Sequence, residues 1–573
     1  MREKVITMRE KKWQIHEPIP IEVDTALADF NEGMRQLLYN RGIYTSEAAQ
    51  EFLNMDGSTH DPFLMSGMDA TVKRILLAID NHEPIAVYGD YDVDGLTATT
   101  LMVEVLDVLG ATSIGYIPNR FDEGYGLNEK ALEKLYDQGY RVILTVDCGI
   151  RSIKEIERGN ELGLEMIICD HHEPGKQIPP AHTVINPKQP GDSYPEKNLA
   201  GVGLAYKIAK ALLTTRPVAK VNADEWLDLV ALGTVADIVP LTGENRTLVK
   251  KGLEVLRTEN RLGVRALANA AGVRLRNVTS RDIGFMIGPR LNAAGRLESA
   301  REAFDLLITT DEHKAASLAQ KLDDLNKKRQ RMIIEMQEHA KIIVHEKQGE
   351  PNILIACSPD FHKGIVGLIA SRLCEEFYRP AIICNQGDEF SVGSCRSIHE
   401  FHITQALEKC ADLFHRFGGH AMAAGFTIRT ENLAALEDRL SKIANEALGD
   451  QELQPTIMVD MEIPLRQLPK DILERLALLE PAGQNNPEVV FMSRNVEVKD
   501  VRLVGHEIKK QHMSLLLTDG RKTYRAIAFR QGYWADQKPH TIDLIYSVKR
   551  NEFRGVVSTQ LHVIDIKLSD QEL

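Results

Sequence analysis

The chain has 573 residues, 43% hydrophobic and 26% charged, with a net charge of −13. That length exceeds what one hydrophobic core serves, so three or more domains are expected, each able to bury ample apolar surface without disulfide staples. The acidic balance argues against a uniformly basic nucleic-acid binder, while leaving room for a local basic patch. Seven scattered cysteines contain no C-x-x-C pair, so neither a zinc ribbon nor a disulfide framework is suggested, and retained thiols fit a reducing cytoplasm. The mixed-charge start, Met1-Arg2-Glu3-Lys4-Val5-Ile6, shows no secretory signal, and no run of about 18 apolar residues suggests a membrane span.

From about Ala70 to His182 short β-branched runs alternate with helical stretches. Strands are predicted at Ile85–Tyr88, Ser113–Ile117, Val142–Val146 and Met166–Ile168, with helices at Thr97–Leu109 and Asn128–Gln138. This is the signature of a parallel α/β sheet. Helices follow at Leu204–Leu213 and Ala223–Leu232. Residues 311–346 contain no Gly or Pro and read as one helix of about 36 residues, roughly 54 Å long, fit to be a strut. A second α/β unit begins at Asn352–Ala356 and ends with helix Leu433–Ala447. After the polar linker Gly449–Pro455, five short β runs lie between Asn495 and Ile566 and suit a small OB-type barrel. Residues Arg494–Lys567 hold 14 Lys+Arg against 8 Asp+Glu, a net +6 that leaves −19 on the rest and marks this segment for a polyanion.

Four acidic clusters stand in the first 240 residues. Asp90, Asp92 and Asp94 follow the first strand, Asp147 the third, and Asp170-His171-His172 the fourth, whereas Asp237 ends a helix that carries its acid inward. Carboxyl ends of parallel strands converge on one edge, where ligands bind. Carboxylates gathered there repel unless cations neutralise them. Hard oxygens mixed with imidazole suit Mn²⁺ or Mg²⁺, which points to a two-metal phosphoesterase with one carboxylate bridging the ions. An EF-hand is disfavoured, because a strand precedes the acids and a helix follows them. Gly288-Pro289-Arg290-Leu291-Asn292-Ala293-Ala294-Gly295-Arg296, Gly393-Ser394-Cys395-Arg396-Ser397 and Gly418-Gly419-His420 look like phosphate handling, by arginine forks and glycine backbone.

These motifs, in this order, resemble the RecJ-type single-stranded-DNA exonucleases of the DHH phosphoesterase superfamily, over nearly the whole chain. The resemblance implies a multidomain α/β protein: a parallel-sheet DHH domain joined by a long helix to an α/β DHHA1 domain, plus a C-terminal OB-type β-barrel. Expected limits are an N-terminal helical extension at 1–69, DHH at 70–310, the connecting helix at 311–346, DHHA1 at 347–454 and the OB domain at 455–573. It further implies that Asp92, Asp94, Asp147, His171 and Asp237 hold two divalent cations, Mn²⁺ or Mg²⁺, with Asp147 as the bridge. His172, Asp170 and Asp90 are then the catalytic groups around the scissile phosphate. Arg120, Tyr125, Arg290, Asn292, Arg296, Ser394, Arg396, Gly418, Gly419 and His420 are expected to contact substrate. The implied activity is 5′→3′ hydrolysis of single-stranded DNA to 5′-mononucleotides in DNA repair and recombination. Expected partners are single-stranded DNA, a single-strand-binding protein and a helicase, with no membrane, for a cytoplasmic monomer. Some relatives carry a further domain after the barrel; contacts made by such a domain are not expected here.

Two other readings compete. One is a DHH phosphodiesterase of short oligonucleotides or cyclic dinucleotides, against which the barrel and the strut argue. The other is a non-catalytic DNA-binding scaffold, which predicts decayed ligands where this sequence keeps every carboxylate and imidazole.

Overall fold

The computed structural model describes residues 10–54, 59–120, 123–124, 126–346, 351–505, 512–537, 539–553 and 556–569. The chain divides into two compact units. One comprises Ile15–Asp323 with the described residues from Met458 onward; the other comprises Asp324–Ile457 with the described residues up to Gln14. The division falls inside the helix Glu312–Glu346, whose 35 residues match the uninterrupted helix read from the sequence.

In the first unit five parallel strands form a sheet. They are β1 (Ile85–Tyr88), β2 (Ser113–Tyr116), β3 (Val142–Val146), β4 (Glu165–Cys169) and β5 (Thr183–Ile185), in the spatial order β2-β1-β3-β4-β5. Every residue of β1 and β3 is buried, as expected of strands covered on both faces. Helices Glu129–Asp137 and Ile153–Leu162 cover one face, through Leu132, Leu135 and Ile156 packed on Ile143, Met166 and Ile168. Helices Val93–Val108, Gly201–Thr215 and Leu227–Ala236 pack against one another and are almost wholly buried.

In the second unit, β6 (Leu354–Ser358), β7 (Ala381–Asn385), β8 (Phe390–Arg396), β9 (Phe414–Gly419) and β10 (Ala423–Arg429) form a mixed sheet ordered β9-β10-β8-β7-β6. Only β6–β7 is parallel. The glycine, serine and alanine motifs read as phosphate-approaching segments therefore lie mostly in antiparallel strands.

The barrel belongs to the first unit. Strands β11 (Met461–Glu462), β12 (Phe491–Val504), β13 (His512–Thr518), β14 (Thr523–Ala528), β15 (Thr541–Phe553) and β16 (Val556–Leu568) run in the order β11-β12-β13-β14-β16-β15, and pairing of β12 with β15 closes it. The parallel-sheet α/β unit, the second α/β unit and the closed barrel read from the sequence are thus all present. The N-terminal helices Glu32–Tyr39 and Ser46–Leu53 share the barrel's core, with Leu37, Leu38 and Ala49 packed among Leu465, Phe491 and Tyr546. Arg246 adds a polar tie. Its guanidinium donates to the carbonyls of Phe52, Leu478, Leu479 and Pro481.

Candidate metal centre

The apolar strands β1, β3 and β4 are adjacent, and the residues just after them stand on one edge of the sheet. Asp90, Asp147 and Asp170 occupy that edge, each 2% exposed. Asp92 caps the helix Val93–Val108 by accepting from the amides of Asp94 (3.0 Å) and Gly95 (3.2 Å). Asp94 is gripped from the neighbouring helix: Gly201 N donates to Oδ2 at 2.7 Å and Val202 N to Oδ1 at 2.8 Å. Position 201 admits only glycine, because a Cβ there would lie 2.7 Å from Asp147 Cβ. Asp237 follows the last residue of Leu227–Ala236, and its carboxylate faces His171.

His171 Nε2 sits 3.2 Å from Asp147 Oδ1, 3.5 Å from Asp237 Oδ2 and 3.9 Å from Asp94 Oδ2. Ligand-capable atoms group as Asp90–Asp92–Asp147, as Asp94–His171–Asp237 and as Asp147–His171–His172, each set within 4.8 Å. Asp147 belongs to the first and third sets and touches the second through His171. His172 Nδ1 shares a 2.7 Å hydrogen bond with Asp170 Oδ1, while Asp170 Oδ2 accepts from Ile150 N at 2.9 Å.

The electrostatics are those of crowded carboxylates. Burial, then the charges of their neighbours, drives Asp90 and Asp147 well above the usual carboxylate range. Burial and then Asp92 push Asp94 up to about 7; burial and then Asp94 push Asp237 up to about 9. Burial and the neighbouring His172 hold His171 neutral, down to about 3. Burial opposes ionisation of both Asp170 and His172, but their mutual hydrogen bond prevails, lowering the acid and raising the base. Asp90 Oδ1, Asp147 Oδ1 and His171 Nε2 are buried without a hydrogen-bond partner. Such groups are costly unless a cation completes them. Burial also pushes the thiols of Cys148 and Cys169 far up, so no thiolate competes. Oxygen and imidazole donors without sulfur fit hard divalent cations.

Around this cluster the Arg120 guanidinium lies 5.2 Å over the Tyr91 ring. The helix Gly288–Leu297, which carries Asn292 and Arg296, comes against the same segment: a Cβ on Gly295 would lie 2.9 Å from the Tyr91 carbonyl oxygen. Arg290 on that helix is engaged elsewhere, with Asp323 at 2.9 Å and the Met286 carbonyl at 2.7 Å. Tyr125 lies outside the described residues. In the second unit Gly418, Gly425 and Ser394 stand side by side across β9, β10 and β8, and Arg396 donates to Ser394 Oγ at 3.2 Å. Gly418 has open space above it, and Gly419 and His420 are exposed. The Gly201–Val202 amides that hold Asp94 were not anticipated; the small-residue run Ala200-Gly201-Val202-Gly203 was the available signal.

Comparisons with known proteins agree with this geometry. Residues 84–234 match the DHH family N-terminal domain, 350–446 the DHHA1 domain and 459–565 the RecJ OB domain. The single-stranded-DNA-specific exonuclease RecJ of Bacillus subtilis strain 168 is 37% identical over 98% of this chain and 71% of its own length. Crystal structures of RecJ from Thermus thermophilus superpose over 99% of this chain, in complex with Mn²⁺ (TM-score 0.82, 29% identity, 80% of that chain) and with Mg²⁺ (TM-score 0.77, 27% identity, 79% of that chain). With its three domain types, its acidic sheet edge and this extent of identity, the chain belongs to the RecJ family of DHH/DHHA1 exonucleases.

Proposed function

We propose that this chain hydrolyses single-stranded DNA 5′→3′ to 5′-mononucleotides in DNA repair and recombination, with two divalent cations. The observation that carries the proposal is that Asp147 shares one ligand group with Asp90 and Asp92 and another with His171 and His172, and that His171 also belongs to the group of Asp94 and Asp237, in a chain of the RecJ family. Asp90, Asp92 and Asp147 would hold one cation, and Asp94, His171 and Asp237 the other. The chemistry that Mn²⁺ or Mg²⁺ would supply there is neutralisation of charge on the phosphoryl oxygens and a lowered pKa for water.

The chain's own residues do the rest. The Gly201 and Val202 amides fix the Asp94 carboxylate, so the ligand set is preorganised. Asp170 holds the His172 imidazole in one orientation and favours its protonated form, which suits donation to a phosphate oxygen. Arg120 and Arg296 meet the phosphate backbone near the cluster, and Arg290, tied to Asp323, steadies the helix that presents Asn292 and Arg296. In the second unit the bare Gly418–Gly425 floor beside Ser394, Arg396, Gly419 and His420 offers backbone and cationic contacts to the 5′ end. The barrel binds the strand through basic and aromatic groups. A single-strand-binding protein and a helicase are the partners that would supply such a strand to a monomeric enzyme. Seven free thiols suit the reducing cytoplasm, and among the described residues no helix is long and apolar enough to cross a membrane.

The test is digestion of a single strand labelled at either end, with Mn²⁺. Early release of a labelled mononucleotide from the 5′ label supports the proposal. Release first from the 3′ label, or cleavage of dinucleotides and cyclic dinucleotides alone, overturns it.

A further inference from the structure

Glu244, Asn245 and Arg246 lie in the first turn of the helix Gly243–Arg257 and are 2%, 0% and 4% exposed. Polar side chains buried so deeply need partners on the protein. Successive residues of a helix point about 100° apart, so the three leave it in different directions. Glu244 accepts from the Tyr194 hydroxyl at 2.5 Å and from His60 N at 3.1 Å, and it pairs with Lys207. Arg246 holds the four carbonyls near the barrel. Asn245 reaches neither set. Its Nδ2 donates to the carbonyls of Asn198 at 2.6 Å and of Pro240 at 3.1 Å. Both partners only accept, which identifies the bonded atom as the amide nitrogen. The Asn245 Oδ1 is buried without a hydrogen-bond partner among the described residues. An oxygen so placed costs stability, which argues that the residue serves its two bonds rather than the packing.

Those two carbonyls belong to the segments that bring Asp94 and Asp237 to His171. Asn198 lies shortly before Gly201 and Val202, whose amides grip Asp94. Pro240 lies shortly after Asp237. Between Asp237 and Pro240 stands Ile238, 69% exposed and with φ at +61°, a left-handed conformation that a β-branched residue rarely takes. Such strain persists only where the surroundings over-determine it, and it gathers at functional sites. Here Asn245 holds Pro240, and Leu241 N donates to the Gln484 carbonyl at 2.8 Å. Without that hold Ile238 would relax and carry the Asp237 carboxylate away from His171 Nε2, which it faces at 3.5 Å.

We propose that Asn245 is a positioning residue for the Asp94–His171–Asp237 group. One buried amide ties the segment before Gly201 to the segment after Asp237, and so sets the two carboxylates that flank His171. Asp90, Asp92 and Asp147 are placed by the ends of β1 and β3 and lie outside this tie. The inference rests on the two-cation reading above and adds a residue that acts on one of the two groups.

The experiment titrates metal-free wild type, Asn245→Leu and Arg246→Ala with Mn²⁺ in a calorimeter. It also follows hydrogen exchange by mass spectrometry in the absence of metal. Leucine keeps the branching of asparagine and donates nothing. The expected result is that Asn245→Leu binds one Mn²⁺ as wild type does and the second about 10- to 100-fold more weakly. Its kcat falls in step while KM for a single strand is unchanged. Arg246→Ala, altered in the same turn, loses stability and binds both ions as wild type does. Exchange quickens over residues 198–202 and 238–241 in Asn245→Leu alone. Adding Ile238→Gly, which takes the left-handed conformation without steric cost, recovers about tenfold of the lost affinity. An asparagine that only supported the fold would give no such rescue.

Equal weakening of both ions, unchanged affinity for both, or the same loss in Arg246→Ala would overturn the proposal. Should the leucine variant fail to fold, Asn245→Ala, which crowds nothing, is read by the same criteria. If wild type bound a single Mn²⁺, the two-cation reading would fail instead. The exchange pattern would still judge the tie, and unchanged exchange over both segments would then refute it.

Discussion

Removing divalent cations should leave a protein whose stability falls as pH rises. In the metal-free cluster Asp94 titrates at about 7 and Asp237 at about 9, against ~3.9 for an unfolded aspartate. A carboxylate whose folded value is raised contributes stability that is fully present below pH ~4 and is lost as pH climbs through the folded value. The loss therefore runs from about pH 4 to about 7 for Asp94 and continues towards about 9 for Asp237. Asp94 is fully buried, so the shift of roughly three pH units translates without a solvent discount into about 4 kcal/mol. At ~2 °C per kcal/mol for a large domain, that is about 8 °C in Tm. Saturating Mg²⁺ or Mn²⁺ binds the ionised carboxylates and reverses the loss. Calorimetric scans at pH 5, 6, 7 and 8, with EDTA or with metal, should show the gap in Tm widening with pH. Titration calorimetry at pH 7 should also show at least one proton released on binding. A gap that stays constant over this range, or binding without proton release, would refute the crowded-carboxylate account.

Gly201→Ala puts a methyl group 2.7 Å from Asp147 Cβ; metal affinity should drop about 10- to 100-fold, read by calorimetric titration, while circular dichroism stays that of the wild type. Asp170→Asn removes the charge that holds His172, so kcat should fall about 10²- to 10⁴-fold with metal affinity retained; an equal loss of both would make Asp170 a ligand instead. Arg246→Ala strips four carbonyls near the barrel of a charged donor and should lower stability by about 3 kcal/mol in urea unfolding, without changing metal affinity.

How much of this was legible in the sequence follows from the range of the interactions. Strands β1, β3 and β4 announce themselves as apolar runs ending in acids, so the acids and histidines that follow them could be read as neighbours on one sheet edge. The helix Glu312–Glu346 was equally plain, since no glycine or proline interrupts it. Strand β5 is three residues long, too short for any pattern. Strands β8 to β10 are rich in Gly, Ser and Ala, whose β signal is weak, so Gly393–Ser397 and Gly418–Gly425 showed their chemistry but not their pairing. The grip of Gly201 on Asp94 spans 107 residues, and the Arg246 tie to Pro481 spans 235. No local pattern encodes such distances. The same holds for the N-terminal helices, read as a separate extension, whose apolar faces find their partners in a barrel more than 400 residues away.

The central claim is that two cations meet at Asp147 to cut single-stranded DNA. Metal stoichiometry by anomalous diffraction at the manganese edge, measured beside hydrolysis of an end-labelled strand for wild type and Asp147→Ala, tests it most directly. Two ions per chain with cleavage in the wild type, against fewer ions and no cleavage in the variant, is the predicted result. One ion in an active wild type, or two ions with undiminished cleavage in the variant, would contradict it.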